Sequence, residues 1–292
     1  MFQRHECKGI CYYTSPILSE AGFRHMFCTR MGGVSTGDFA SLNVSTARKD
    51  RNGFTDSARN VEENYRRILG VLALTPENAC AAKQIHSDIV YTVQNSDGGK
   101  GILESLPVLD GCDGVLLTPD CEELGAVCVK TADCVPILLA NRDTGAVCAV
   151  HAGWRGSAAD IATKAAKALG CGHMEHVLAA IGPCIGSCCY EVGDEVYAAF
   201  ARLLRSKDIA CDIDRYVPLF PSCSMGGKRH ADLAGINRAL LEYLGVPSGN
   251  IDMSGFCTCC KRDEKSGERL FFSHRASGGF SGTFASVICS RK

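Results

Sequence analysis

The sequence lacks any run of five or six like charges, and it lacks an apolar stretch long enough to cross a membrane or to act as a secretory signal. Without a charged run, the chain offers no electrostatic footprint for nucleic acid or an anionic lipid surface. Its formal net charge of −1 agrees with this. We therefore expect a cytoplasmic protein that binds a small molecule and has no nucleic-acid or membrane partner.

Two further absences concern cofactors and domain organisation. No G-x-G-x-x-G or P-loop motif occurs, so nothing indicates a dinucleotide or nucleoside-triphosphate site of the common kinds. No internal repeat or low-complexity linker divides the chain. The chain has 292 residues, of which 46% are hydrophobic, and it can therefore bury a large continuous core. We expect one domain over residues 1–292.

Cysteine, in contrast, is abundant, with nineteen residues. An odd number of cysteines in a chain with no secretory signal argues against a disulfide framework. We interpret most of these cysteines as reduced, small, buried apolar residues.

Short apolar segments predict the secondary structure. Helical spacing of apolar residues occurs in segments 61–72, 161–169 and 233–244. Runs bounded by turn residues predict strands at 89–93, 114–117, 126–129, 135–139, 146–150, 177–181 and 284–288. The composition of residues 141–145 suits a hairpin turn. Because strands outnumber helices, we predict an α+β fold with antiparallel or mixed sheets rather than a Rossmann-type parallel sheet.

The densest group of polar residues among apolar ones flanks this predicted hairpin. Cys134 precedes one strand and His151 ends the next, so both should lie near the same end of the sheet. With His86, they form a Cys/His₂ set, and a catalytic zinc requires three such ligands and one open position. No short ligand pair links the three residues, so two alternatives stay open. In the first alternative, His86 and His151 are hydrogen-bonded core residues and Cys134 is inert. In the second, Cys134 and a histidine form a nucleophile pair with Asp133 nearby, as in cysteine hydrolases.

Several sequence blocks carry a resemblance to a known family. In chain order they are TRMGGVS at 29–35, SLN at 41–43, KQIH at 83–86, TADC at 131–134, HAGWRG at 151–156 and GPCI at 182–185. From about residue 23 to residue 288, the sequence resembles the laccase-domain polyphenol oxidase family, whose members are treated as purine nucleoside phosphorylases. The resemblance implies a four-layer α/β/β/α sandwich with mixed, largely antiparallel sheets. It also implies a zinc ion held by His86, Cys134 and His151.

The resemblance further implies two activities. One is phosphorolysis of adenosine, inosine, guanosine and methylthioadenosine to the free base and a sugar 1-phosphate, and the other is hydrolytic deamination of adenosine. For the deamination, in which a zinc-bound hydroxide attacks C6 of adenine, Asp133 is the candidate carboxylate that moves protons. Bidentate guanidinium groups suit phosphate, so Arg155, Arg30 and Arg275 are candidates for binding it. Asn43 is a candidate partner of a ribose hydroxyl.

Other interpretations follow from the same residues. Copper in the Cys/His₂ site would give weak polyphenol oxidation, because copper binds nitrogen and sulfur ligands more tightly than zinc. The eight histidines include no H-x-H pair, however, which speaks against a copper cluster. Some members of the family are described as peptidoglycan editing factors, and the same pocket would then bind a cell-wall precursor.

The chain also departs from the family pattern at two places. The segment 278–283 reads GGFSGT where the family commonly has a Gly-Arg pair, so any contact from that arginine is lost or supplied elsewhere. Additional cysteines occur at positions 184, 188, 189, 257, 259 and 260. They suggest a second metal site, but we favour their interpretation as ordinary buried thiols.

Overall fold

The structure is a computed structural model that describes residues 1–170, 172–207, 209, 213–220 and 228–291. These residues form six α-helices and fifteen β-strands. The helices are α1 (Pro16–Glu20), α2 (Ala58–Val71), α3 (Trp154–Ala158), α4 (Ile161–Gly170), α5 (Asp194–Ser206) and α6 (Leu233–Leu244). The strands are β1 (Gln3–Cys7), β2 (Ile10–Thr14), β3 (His25–Cys28), β4 (Ala79–Ala81), β5 (Val90–Thr92), β6 (Gly114–Leu117), β7 (Ala126–Thr131), β8 (Val135–Asn141), β9 (Val147–Ala152), β10 (Val177–Ile181), β11 (Glu191–Val192), β12 (Leu219–Phe220), β13 (Lys228–His230), β14 (Ile251–Met253) and β15 (Phe284–Cys289).

Most of these strands form two six-stranded sheets. The first sheet has the order β1-β2-β3-β15-β7-β4, and the second has the order β14-β10-β8-β9-β6-β5. Neighbouring strands are mostly antiparallel, but β4 is parallel to β7, β5 to β6 and β14 to β10. A small third sheet joins β11, β13 and β12. The predicted α+β class with mixed, largely antiparallel sheets is confirmed, and each predicted strand is present with its ends shifted by at most two residues.

The layers follow from where apolar side chains are buried. The two large sheets face each other, because β7 and β15 of the first contact β9 of the second. Helix α2 covers the outer face of the first sheet with Val61, Tyr65, Ile68 and Leu69, all of which are buried. Helices α4 and α6 pack together, and α4 also contacts β8 and β9. The resulting order is α/β/β/α, and burial of each such side chain contributes about 1.5–3 kcal/mol.

The helix ends explain why these segments stop where they do. The Ser57 hydroxyl accepts a hydrogen bond from the backbone N–H of Asn60 and caps α2. The Asp232 carboxylate accepts one from Gly235 and caps α6, which ends at Gly245 with φ +105°. Only glycine adopts this backbone conformation at low cost. Over the described residues, none of the helices has the length and apolar character needed to span a bilayer.

The hairpin of β8 and β9 determines where the polar blocks meet. Val135 lies opposite Ala152, and Pro136 lies opposite His151. Cys134 precedes β8 directly, so its side chain and that of His151 are at the same end of the second sheet. The predicted hairpin is therefore confirmed, and both of its strands are fully buried.

Candidate metal centre and adjoining cleft

Three side chains that sequence analysis assigned to a metal converge at this end of the sheet. His86, Cys134 and His151 each offer one ligand atom, and these atoms all lie within 4.8 Å of one another. The Cys134 Sγ atom is 3.9 Å from His86 Nε2. The two imidazole rings have centroids 4.9 Å apart and are nearly perpendicular, at 82°. One thiolate and two imidazoles in this arrangement match the donor set of a three-ligand zinc centre.

Gly153 makes room for the convergence. A Cβ atom at this position would lie 2.9 Å from His86 Cδ2 and 3.2 Å from Cys134 Sγ. The backbone φ of Gly153 is −69°, which any residue adopts, so the constraint is space rather than conformation. The glycine of the HAGWRG block therefore allows the two ligands to approach each other.

Two residues at the centre have a backbone conformation that side chains disfavour. His86 has φ +62°, and Asp133, directly before Cys134, has φ +91°. Each such residue costs about 1–3 kcal/mol and persists only where its surroundings hold it. The backbone N–H of His86 donates to Asp113 Oδ1 at 3.0 Å, and the carbonyl of Asp133 accepts from Ile185 at 2.9 Å. These bonds hold the two turns that aim His86 and Cys134 at the centre.

Asp113 is a functional residue that sequence analysis missed. Its buried carboxylate lies 2.7 Å from His151 Nδ1 and also accepts backbone N–H bonds from Ile85, His86 and Ser87. Burial opposes its charge, but hydrogen bonds from His151 and Ser87 lower the pKa of Asp113 to about 2. The ionised Asp113 carboxylate accepts a hydrogen bond from the Nδ1–H of His151, which leaves Nε2 for a metal.

The ligands themselves have shifted protonation equilibria. Burial alone raises the pKa of the Cys134 thiol, but His151 and His86 lower it to about 6. Burial lowers the pKa of His151, but Cys134 and Asp113 raise it to about 9. Near neutral pH, the thiol is therefore a thiolate, which is the form that binds metals.

Asp133 lies beside the centre with both carboxylate oxygens engaged. Oδ1 accepts a hydrogen bond of 2.7 Å from the Thr258 hydroxyl, and Oδ2 accepts one of 2.7 Å from the backbone N–H of Arg275. The side chain is buried. The structure thus connects Asp133 to two loops that come from distant parts of the chain.

The Arg275 side chain holds the loop that carries Tyr190. Its Nη1 and Nη2 atoms donate to the carbonyls of Cys189 and Glu191 at 3.2 and 2.8 Å. Its guanidinium carbon lies 5.5 Å from the centroid of the Tyr190 ring. Burial, followed by the charge of Cys134, raises the pKa of Tyr190 to about 12, while Arg275 and Arg155 act in the opposite direction. Tyr190 therefore borders the centre as a neutral phenol, and sequence analysis did not identify it.

The other predicted arginines occupy different surroundings. Arg155 is exposed, and its guanidinium lies 4.2 Å from the centroid of the Trp154 ring. Arg30 is half-buried, donates to the carbonyl of Ala40 and lies 4.9 Å from the centroid of the Phe272 ring. Arg30 lines cavities that do not include any of the three ligands. Arg155 follows Gly153, the neighbour of His86 and Cys134, by two residues, whereas the structure does not bring Arg30 to the centre.

Asn43 belongs to a hydrogen-bond network inside the protein. Its Nδ2 atom donates to the carbonyl of Ser45 and to Asp56 Oδ2, both at 2.8 Å. Its Oδ1 atom accepts from the backbone N–H of Thr283 at 2.9 Å. The side chain is fully buried and does not line the cleft that contains the three ligands.

A cleft of about 330 Å³ opens directly onto the three ligands. Its walls carry the cationic side chains of Arg48, Lys83 and Lys130, none of which sequence analysis selected. Gln84 bonds both backbone groups of Lys130, at 2.7 and 2.8 Å, and so fixes the loop of His86 to β7. Arg48 and Lys130 lie outside the recognised blocks and carry no signal in the sequence, and Lys83 opens the KQIH block but was not selected from it. Only the fold shows that these three surround one cleft.

Comparisons with known proteins agree with the geometry. Residues 24–291 match a family model described as multi-copper polyphenol oxidoreductase laccase. Purine nucleoside phosphorylase YlmD of Geobacillus stearothermophilus is 34% identical over 276 residues, which cover 90% of this chain and 89% of the relative. A protein named adenosine deaminase RL5, from an unknown prokaryotic organism, is 35% identical over 209 residues, covering 70% and 72%. The crystal structure of YlmD from Geobacillus stearothermophilus superposes with a TM-score of 0.82 at 32% identity, covering 100% of this chain and 99% of that one.

Proposed function

The chain belongs to the multi-copper polyphenol oxidoreductase laccase family, and from this premise we propose that it is a zinc-dependent purine nucleoside phosphorylase. The observation that carries the proposal is the convergence of His86, Cys134 and His151 at a cleft lined by cationic side chains. The curated relatives named purine nucleoside phosphorylase support it. The proposed substrates are adenosine, inosine, guanosine and methylthioadenosine.

The proposed reaction exchanges one bond at the anomeric carbon. The C1′–N9 bond of the nucleoside breaks, and a bond forms between C1′ and an oxygen of hydrogen phosphate. The purine leaves with the electron pair of the broken bond and takes up the proton that the phosphate loses. The products are a neutral base and the sugar 1-phosphate dianion, so atoms and charge balance. The site must hold an anion, stabilise a departing base and move one proton.

The donor set at the centre fits zinc, because its ligands are one thiolate and two imidazoles with space for a fourth ligand. When bound there, zinc would supply a Lewis acid next to the cleft. Asp113 orients His151 for this role through the Nδ1 hydrogen bond of 2.7 Å. Copper binds the same ligands, but a single three-ligand centre is not the copper cluster that a laccase mechanism requires.

Phosphate is proposed to bind to the cationic wall of the cleft. Arg48 offers a planar guanidinium that suits two phosphate oxygens, and Lys83 adds a second positive charge at the opening. Lys130 is half-buried in the same wall. Arg155 is the alternative phosphate ligand, because it is exposed and lies two residues after Gly153, the neighbour of His86 and Cys134.

Asp133 is proposed to relay the proton to the departing base. Its two hydrogen bonds, from Thr258 and from the backbone of Arg275, fix the carboxylate in one orientation. Each carboxylate oxygen has a second lone pair that these bonds do not use. Tyr190, which remains protonated near neutral pH, is available as a hydrogen-bond donor in the same region. Arg275 acts through Asp133 and the Tyr190 loop, which makes it a positioning residue.

Deamination of adenosine is a second candidate function, which the relative named adenosine deaminase favours. In this reaction water adds at C6 of adenine, ammonia leaves and inosine forms. The same carboxylate would take the proton from water and return it to the leaving nitrogen. Both reactions therefore need the same three ligands and the same proton relay.

One experiment distinguishes the candidates. The zinc-loaded protein is incubated with adenosine, with and without phosphate, and adenine, inosine, hypoxanthine and ribose 1-phosphate are separated by chromatography. His86→Ala and Cys134→Ala remove ligands, and His173→Ala is the matched control, since His173 is an exposed histidine outside the cleft. We expect phosphate-dependent adenine and ribose 1-phosphate in the wild type and the control, and neither product in the ligand variants.

Other outcomes have definite meanings. Inosine formed without phosphate, and lost in the ligand variants, would establish deamination at the same centre. Oxidation of a phenol that depends on added copper would support the polyphenol oxidase hypothesis. If adenosine, inosine, guanosine and methylthioadenosine all remain unchanged with phosphate present, the phosphorylase proposal is wrong.

A further inference from the structure

Four cysteines gather at a place outside the metal centre described above. Cys188 and Cys189 follow β10, and Cys257 and Cys260 follow β14. Their sulfur atoms all lie within 4.8 Å of one another, and the Sγ atoms of Cys188 and Cys260 are 3.8 Å apart. Cys188 and Cys260 are exposed, so the interpretation of these cysteines as ordinary buried thiols is wrong for both. We call these four residues the thiol cluster.

The spacing of the sulfurs matches metal coordination better than a disulfide. Sulfurs bound to one tetrahedral zinc at about 2.3 Å are about 3.8 Å from each other. A disulfide brings its two sulfurs to about 2.05 Å. The Cys188–Cys260 distance of 3.8 Å equals the first value. The thiol cluster therefore has the dimensions of a four-thiolate metal site.

The backbone around Cys257 supports the same conclusion. The N–H of Gly186 donates to the Cys257 sulfur at 3.3 Å. Such a donor stabilises a metal-bound thiolate without occupying the metal. Cys257 and Cys260 also have the C-x₂-C spacing of zinc-binding turns, a signal that our sequence analysis overlooked.

Gly186 keeps the space between the two segments free. A Cβ atom at this position would lie 3.3 Å from the Cys188 sulfur and 3.3 Å from Cys257 Cβ. A side chain here would therefore crowd the thiol cluster. Gly186 therefore serves the thiol cluster in two ways, with an N–H donor and with space beside the sulfurs.

We propose that Cys188, Cys189, Cys257 and Cys260 bind a second zinc ion in a closed, tetrahedral four-thiolate site. Four protein ligands leave no open position, so the ion is structural rather than catalytic. Soft thiolate ligands in a tetrahedral arrangement select zinc or iron–sulfur clusters among biological metals. The cluster dimensions given above correspond to one ion.

The second zinc would join two loops that hold parts of the catalytic centre. Cys188 and Cys260 are 72 positions apart in the chain. The carbonyl of Cys189 accepts a hydrogen bond from Arg275, and Thr258, next to Cys257, donates to Asp133. The zinc therefore links the loop that contains Cys188, Cys189 and Tyr190 to the loop in which Thr258 orients Asp133. Its existence does not depend on which reaction the first centre catalyses.

Zinc stoichiometry tests the proposal independently of activity. The full chain is produced with zinc and a thiol reductant, desalted, and analysed for metals by mass spectrometry. We expect two zinc ions per chain in the wild type. We expect one in His86→Ala and one in Cys188→Ser/Cys260→Ser. The matched control is Cys259→Ser, which removes a cysteine of the same segment outside the thiol cluster and should retain two.

Cobalt substitution adds a spectroscopic test. Cobalt bound to four thiolates should give strong visible absorption that remains in His86→Ala and is lost in Cys188→Ser, a change at an exposed side chain. One zinc in the wild type, or two zinc ions in Cys188→Ser/Cys260→Ser, would overturn the proposal. Iron in place of zinc would also overturn the proposal. So would disulfides between these cysteines, detected by mass spectrometry after the free thiols of the native protein are alkylated. Loss of zinc in Cys259→Ser would show that the ligand set is wrong.

Discussion

The Nδ1 atom of His151 lies 2.7 Å from Oδ1 of Asp113, and both side chains are buried. This contact fixes the ring orientation of one proposed zinc ligand. The same carboxylate accepts the backbone N–H of His86, so it also holds the loop of a second ligand. Asp113 therefore connects two of the three ligands although it does not belong to the ligand set.

Replacing Asp113 should weaken metal binding. In Asp113→Asn, a neutral amide replaces the charged carboxylate that accepts the hydrogen bond from His151 Nδ1. The orientation of the His151 ring is therefore held less firmly. We expect zinc affinity to fall about 10–100-fold, as is typical when an outer-shell partner of a metal ligand is lost. Competition with a coloured chelator measures the affinity, and circular dichroism verifies the fold. Asp110→Asn, at an exposed neighbouring carboxylate, is the control, and equal affinities for the two variants would contradict the assigned role of Asp113.

Much of the centre could be predicted from the sequence because it depends on a local hairpin. Residues 135–139 and 146–150 are apolar runs separated by turn residues, which predicts β8 and β9. Pairing of these two strands brings Cys134 and His151 together. Asp113 was not predictable in this way. It approaches His151 because β6 pairs with β9, and sequence patterns do not specify which strands become neighbours.

Arg30 and Asn43 show a second limit of sequence analysis. Both belong to blocks that resemble the family, and both were interpreted as substrate-binding residues. The structure gives their polar atoms partners within the protein: the carbonyl of Ala40 for Arg30, and Ser45, Asp56 and Thr283 for Asn43. A motif identifies residues with specific contacts, but it does not say whether the contact is to substrate or to backbone.

Gly153→Ala should remove the metal without unfolding the protein. The new Cβ atom would meet His86 Cδ2 at 2.9 Å and Cys134 Sγ at 3.2 Å, so the two ligands must separate. The backbone angles of Gly153 suit alanine, and no conformational strain is expected. We expect the zinc content of this centre and the activity to be lost together, with little change in Tm. Gly249→Ala, where a Cβ atom meets nothing, should retain both, and full zinc in Gly153→Ala would contradict this account.

Zinc affinity of this centre should depend on pH through Cys134 and His151. In the metal-free protein, the pKa of Cys134 is about 6 and that of His151 is about 9. Between these values the thiol has already lost its proton, while His151 must lose one to bind zinc. Affinity should therefore rise with pH by about tenfold per unit in this window, level off above it and fall more steeply below it.

Calorimetry in buffers of different ionisation enthalpy measures this coupling. We expect release of about one proton per zinc bound to this centre near pH 8. Cys188→Ser/Cys260→Ser is the suitable background, because it removes the second proposed zinc site. Zinc binding with no proton release in this window would show that His151 is already neutral.

Arg30→Gln should affect stability rather than substrate binding. The substitution removes the hydrogen bond to the carbonyl of Ala40 and the contact with the Phe272 ring. Loss of a hydrogen bond from a charged group to a partly buried carbonyl costs about 1.5–3 kcal/mol, so the free energy of unfolding should decrease by about that amount. Urea denaturation measures this change. The KM for phosphate should stay within about twofold of the wild-type value, because Arg30 lines a different cavity. A large increase in this KM would show that Arg30 binds substrate.

Arg48→Gln should raise the KM for phosphate, because it removes the guanidinium that faces the metal cleft. A charge-assisted hydrogen bond contributes about 1.5–3 kcal/mol, which corresponds to an increase of about 10–100-fold. The KM for the nucleoside should change much less, since a purine and a ribose carry no charge for Arg48 to bind. Arg51→Gln is the matched control, since Arg51 lies nearby in the chain but pairs with Asp38 and lines another cavity. Arg155→Gln completes the comparison. If its KM for phosphate rises instead and that of Arg48→Gln does not, phosphate binds beside Arg155, and the cationic wall of the cleft has another role.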